Sequence, residues 1–219
     1  MKTARKNTGA LHNIRRLIET KWPEASPRKW ASSAPIYTTG VPELDELLAG
    51  GFPAGQMIEI TGDISSGKTT LLTRFIRQLA VHFPIAYLDF ARTFFPAAAV
   101  AGGIDPIRLL ITHPPSLGKG IRTTELLFAD NRIGCAVFDL AGIRTPLSPT
   151  LLHRLRNRTA GAGKTVIFLT EPDARLISAS TVSLRLEVSR ESRSAIAIAI
   201  TRSRLCREGV VLSWSPDAD

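Results

Sequence analysis

The chain has 219 residues, of which 44% are hydrophobic, and a formal net charge of +9. That length fits one core domain plus a short extension, with enough apolar residues for a sizeable core. No apolar run reaches membrane-spanning length, no apolar signal core opens the chain, and Cys135 and Cys206 alone make neither a disulfide framework nor a metal cluster. A cytoplasmic protein without membrane contact is expected. The positive charge favours DNA or another acidic partner, although a basic surface also serves solubility.

Residues 1–30 carry Lys2, Arg5, Lys6, Arg15, Arg16, Lys21, Arg28 and Lys29 against Glu19 and Glu24. Leu11, Ile14, Leu17 and Ile18 recur at helical spacing, so a short amphipathic helix on a basic arm is expected. It serves either as a contact for a partner or DNA, or as a solvated tail whose helix docks. Pro23, Pro27 and Pro35 among serines mark a linker. The division is therefore a basic helix and linker over 1–35 and a core over 36–219.

In the core, residues 57–60 form a strand-like run. Gly62-Asp63-Ile64-Ser65-Ser66-Gly67-Lys68-Thr69 follows, with Thr70 next. This fits G-x-x-x-x-G-K-[ST], the phosphate-binding P-loop. Glycines let backbone N–H groups approach a polyphosphate closely. Lys68 then reaches the β- and γ-phosphates, and the Thr69 hydroxyl holds Mg²⁺. Leu71, Leu72, Phe75, Ile76 and Leu79 recur at helical spacing after the loop. Strand, glycine loop and helix are the order a P-loop needs. A plain Gly/Ser turn would leave Gly-Lys-Thr at the helix start unexplained.

Strands are expected at 85–89, 109–112, 133–139 and 165–170. Helices are expected around 92–101, within 123–130, and from Ser148-Pro149 to near Gly161. This alternation implies a parallel, doubly wound sheet. Residues 182–188, 195–200 and 210–214 lack intervening helices and suit antiparallel strands extending the sheet. Asp139 ends an apolar strand, which suits the Walker B role of supporting the metal's water shell. Cys135, within that strand, is expected to be a buried small hydrophobe.

The run from Thr38 to Gly55, with Thr39-Gly40, Leu44-Asp45, Leu47-Leu48, Gly50-Gly51, Pro53 and Gly55, leads into the P-loop strand. This run resembles the opening of the RecA-type ATPase core, over roughly residues 36–205. The resemblance implies an α/β RecA-like P-loop NTPase core: a mostly parallel sheet flanked by helices, with antiparallel strands at the C-terminal edge. It implies ATP and Mg²⁺ as cofactors, with ATP often bound between subunits of a homo-oligomer. Thr69 and Asp139 take the metal positions. Glu171, at the end of the 165–170 strand, takes the place of the γ-phosphate sensor, usually glutamine. A carboxylate there is repelled by triphosphate unless Mg²⁺ or an arginine intervenes; otherwise it is a solvated strand end. Arg202 and Arg204 resemble the paired basic residues inserted into a neighbour's ATP site, or are an ordinary basic strand end.

Ala91 stands where the recombinases carry the glutamate that activates water, so no catalytic residue is assigned. Asp89 matches the preceding acidic position. Phe95 and Ala98 fall at the adenine-contacting positions. The segments after Asp139 and Glu171 are shorter than the recombinases' DNA-binding loops, and no C-terminal accessory domain is expected. With these departures the chain is most similar to the ImuA/SulA-like group of RecA-related mutagenesis accessory proteins. That resemblance implies a nucleotide-binding accessory in DNA repair, the SOS response to DNA damage or translesion mutagenesis. Its partners would be a RecA recombinase or a Y-family-like polymerase homologue. The alternatives are an active DNA-stimulated ATPase of the recombinase family and a KaiC-like regulatory ATPase.

Overall fold

A computed structural model describes residues 34–174, 176–178, 180–204 and 206–216. The expected basic helix, and the 1–35 segment up to residue 33, lie outside the described residues. In chain order the core contains β1 (Ile36–Tyr37), α1 (Pro42–Leu47), β2 (Phe52–Pro53), β3 (Met57–Gly62) and α2 (Lys68–Ala80). Next come β4 (Ile85–Asp89), α3 (Pro96–Ala101), β5 (Leu109–Thr112), α4 (Leu117–Ala129) and β6 (Cys135–Asp139). The last elements are α5 (Pro149–Ala162), β7 (Thr165–Thr170), β8 (Leu184–Arg190), β9 (Ile196–Ser203) and β10 (Val210–Trp214).

The main sheet has eight strands in the order β10-β9-β8-β3-β7-β6-β4-β5. Every neighbouring pair from β8 to β5 is parallel, while β8–β9 and β9–β10 are antiparallel. This is the expected mostly parallel sheet with antiparallel strands at its C-terminal edge. β3, β4, β6 and β7 are buried at every position. Such continuous burial requires helices on both faces. Leu71, Leu72, Phe75, Ile76 and Leu79 of α2, with Leu44 of α1 and Ala99 of α3, form one core with Ile58, Ile60, Tyr87 and Val137. Ile121 and Phe128 of α4, with Leu152 and Leu155 of α5, pack against Ala86, Leu88, Phe138 and Phe168 on the other face. Cys135 is fully buried, as expected. Among the described residues, no helix is long and apolar enough to cross a membrane.

Several boundaries differ from the sequence reading; among them, the strand expected over 133–139 starts at Cys135 and the helix expected within 123–130 starts at Leu117. The helix expected around 92–101 starts only at Pro96. Asp89 accepts hydrogen bonds from the Thr93 and Phe94 amides, at 3.2 and 3.1 Å, and holds that stretch as a loop. Phe95, preceding a proline, is extended for the usual steric reason. The strand expected over 182–188 lies at Leu184–Arg190, and it pairs parallel with β3 on one side and antiparallel with β9 on the other. β9 continues through Ser203, so Arg202 lies within the strand and Arg204 just beyond it. The extra length follows from a register shift at Arg185/Leu186, which restores pairing past Ile200.

Candidate functional site

β3 delivers Gly62 to the C-terminal edge of the sheet, and α2 begins at Lys68. Two glycines shape the loop between them. A Cβ on Gly62 would stand 2.4 Å from the Val188 carbonyl oxygen, so β8 leaves no room for a side chain. Gly67 caps α2 at φ +96°, and a Cβ there would meet Ile196 Cγ2 at 2.7 Å. The loop is braced from β8, where Arg190 Nε donates to the Ser65 carbonyl at 2.8 Å. No acidic residue stands in the first turn of α2, which carries the exposed Thr69 and Thr70. The positive end of the helix is thus left for an anion.

Lys68 is 8% exposed, and its Nζ donates to the Gly62 and Asp63 carbonyls at 2.8 and 3.1 Å. Burial lowers its pKa, opposed first by the Glu171 charge and then by Asp139 and Asp63. A buried cation at the start of α2 suits a polyphosphate, whereas the nearby carboxylates oppose one.

Asp139 ends β6, in register with Asp89 at the end of β4. It is 5% exposed and accepts from the Tyr87 hydroxyl at 2.7 Å and the Ala141 amide at 3.2 Å. Burial raises its pKa, more than the Tyr87 and Ala141 hydrogen bonds lower it. For a carboxyl raised in the folded state, ionisation opposes folding above that pKa, and the opposition fades as pH falls through it. Asp139→Asn keeps an acceptor for Tyr87 and removes the buried charge. It is expected to raise the melting temperature at neutral pH while weakening Mg²⁺-dependent nucleotide binding, read by calorimetry with and without Mg²⁺. A lower melting temperature would show that the ionised carboxylate is stabilising. As a metal site the donors fit: Thr69 and Asp139 would hold Mg²⁺, which neutralises phosphate charge when bound.

Asp89 is 1% exposed and its carboxylate is occupied by the Thr93 and Phe94 amides, with His113 Nδ1 3.9 Å away. It anchors a loop, which leaves it poorly placed to activate water. Ala91 is exposed, between the half-buried Phe90 and the exposed Arg92. Phe95 is 68% exposed and Ala98 is also exposed, while Phe94 stacks on Tyr87 with ring centroids 3.9 Å apart.

Glu171, just past β7, accepts from the Gly142 amide at 3.1 Å and pairs with Arg144 at 2.7 Å. Asp63, Ile64, Arg144, Glu171 and Pro172 line one pocket of about 360 Å³. Glu171 thus shares a pocket with Asp63 and Ile64 of the P-loop and carries Arg144 on its carboxylate. Arg202 and Arg204 are elsewhere. Ser203 pairs with Leu184, which pairs with Ile58, so they lie roughly 13 Å along the strands from Gly62. They do not meet this chain's own P-loop. Arg204 donates to the Ser180 carbonyl at 2.5 Å, and its pKa is lowered by burial and then by Arg156 and Arg202. A cavity of about 460 Å³ lies on the sheet face away from α2, over Glu59, Arg185 and Glu187, and contains no phosphate loop.

Sequence reasoning missed Tyr87, Arg144 and Arg190. Tyr87 was within reach, since it lies two residues before Asp89 and so on the same strand face. Arg144 and Arg190 carry no local signal, because their partners Glu171 and Ser65 are distant in sequence.

Known proteins resemble this chain in sequence and in fold. A family model described as ATPase: KaiC matches residues 37–86. Protein RecA of Prochlorococcus marinus strain AS9601 is 26% identical over 153 residues, covering 61% of this chain and 42% of that protein. Protein RecA of strain NATL1A is 29% identical over 153 residues, covering 61% of this chain and 41% of that protein. The chain thus spans about two fifths of those relatives. The crystal structure of the RadB recombinase superposes with a TM-score of 0.67 at 21% identity, covering 82% of this chain and 96% of that one. In sequence the chain is thus similar to the KaiC-type ATPase model and to protein RecA, and in fold to the RadB recombinase.

Proposed function

We propose that this chain is a RecA-like nucleotide-binding accessory of DNA repair, binding ATP–Mg²⁺ at residues 62–70 and acting by contact more than by turnover. The observation that carries this reading is a formed P-loop beside a missing base. Lys68 and the loop backbone are arranged for phosphate, while Ala91 offers no proton acceptor and Asp89 is committed to two amides. A positioned base contributes about 10²–10⁴-fold to such reactions. In this reading the partners are DNA-repair proteins such as a RecA recombinase or a Y-family-like polymerase homologue, together with DNA. Arg202 and Arg204 serve a neighbouring subunit's site. Their placement far from this chain's own loop supports that assignment. The likeness to protein RecA favours a second reading, a DNA-stimulated ATPase of the recombinase family.

Steady-state phosphate release separates the two. Wild type is expected to turn over slowly, with little stimulation by single-stranded DNA. Ala91→Glu is expected to raise the rate. Asp89→Asn is expected to lower thermal stability, through the Thr93 and Phe94 contacts, without a specific loss of rate. Robust DNA-stimulated turnover in wild type that collapses in Asp89→Asn would reject the accessory reading and favour the active ATPase.

A further inference from the structure

One pocket is lined by Asp63 and Ile64 of the P-loop together with Arg144 and Glu171. Glu171 is the foremost charge acting on Lys68, and its two oxygens are taken by Arg144 and the Gly142 amide. We propose that Arg144 is the γ-phosphate ligand of this pocket, supplied in cis. Glu171 holds its guanidinium, and a nucleoside triphosphate draws it away while a diphosphate does not reach it. The proposal rests on the nucleotide-binding reading above and adds to it the discrimination between tri- and diphosphate.

Four observations support it. Arg144 and Glu171 line the same pocket as Asp63 and Ile64 of the P-loop. The Arg144 side chain is 65% exposed against 16% for Glu171, so the arginine is the more solvent-accessible member of the pair. An exposed pair of this kind is worth about 0–1 kcal/mol, whereas a guanidinium on phosphate makes charge-assisted, often bidentate bonds. Arg190, which reaches the loop, is committed to the Ser65, Ser192 and Arg193 carbonyls, while Arg202 lies level with Glu59 in the middle of β3 and Arg204 lies further from Gly62. Transfer of Arg144 to phosphate leaves Glu171 with the Gly142 amide alone. The segment 142–144 would then report which nucleotide is bound.

Calorimetry with Mg²⁺ and either AMP-PNP or ADP tests this on the full chain and on Arg144→Ala, Glu171→Gln and the double variant. Arg144→Ala is expected to weaken AMP-PNP by about tenfold or more, the size of one charge-assisted contact, and ADP by less than about twofold. The AMP-PNP loss is expected to persist in the Glu171→Gln background. Equal losses for both nucleotides, or no loss for either, would overturn the proposal and leave nucleotide binding standing. A loss that vanishes once Glu171 is neutral would also overturn it, because Arg144 would then only mask the carboxylate. If wild type binds neither nucleotide, the nucleotide-binding reading fails as well.

Discussion

Lys68→Ala is expected to weaken ATP–Mg²⁺ binding by about 100-fold while the fold persists. The ammonium is the side-chain cation most directly aimed at the loop, with its Nζ at hydrogen-bond distance from Gly62 and Asp63. Its exchange of these carbonyls for phosphate oxygens replaces neutral acceptors by charged ones. Bonds to charged groups contribute about 1.5–3 kcal/mol each, so losing one or two corresponds to roughly 100-fold in affinity. The stability effect should be small. Burial already disfavours the charged form of Lys68, as its lowered pKa shows, so removing it relieves a desolvation cost while releasing two loop carbonyls. Calorimetry for affinity and thermal melting for the fold read the two effects separately. Affinity retained within about threefold would mean that backbone amides and the helix end carry the phosphates without the lysine.

Arg185→Ala is expected to cost about 3 kcal/mol of stability, the low end of what breaking a buried ion pair costs. Glu59 lies in the middle of β3 with a side chain 6% exposed, on the sheet face opposite the α2 core. It is held by Arg185 Nε at 2.6 Å and by the Thr170 hydroxyl at 2.9 Å. Removing the guanidinium leaves a nearly buried carboxylate with one neutral donor. At this chain length, 1 kcal/mol moves the melting temperature by about 2–4 °C, so a fall of roughly 6–12 °C is expected. Arg185 is itself 26% exposed and lines the 460 Å³ cavity, which is why the low end applies. The paired substitution Glu59→Leu with Arg185→Met should recover most of the loss, since an apolar pair carries no desolvation cost. A shift below about 1 kcal/mol in the single variant would mean that water entering the cavity solvates Glu59.

The strands at 85–89, 109–112, 165–170 and 210–214 were legible with their boundaries. A run of five or so apolar residues bounded by turn formers has few alternatives in a chain whose helices show clear 3.6-residue spacing. The P-loop was legible for a stricter reason. Its glycines answer contacts with Val188 and Ile196, but the need for them is written locally in Gly62, Gly67 and Lys68. The helix expected from residue 92 was not legible, because Asp89 captures the amides of Thr93 and Phe94 and competes with the first turn.

By itself the sequence determined the alternating α/β core and the P-loop motif, since each is a property of neighbouring residues. Only the tertiary structure decided which charges meet. It put Tyr87 on Asp139, Arg144 on Glu171 and Arg190 on the loop backbone, and it kept Arg202 and Arg204 roughly 10 Å or more along the strands from Gly62. The reason is physical. Helical and strand periodicities are short-range and repeat, whereas an ion pair at a sheet edge depends on strand order and register, which no local pattern encodes.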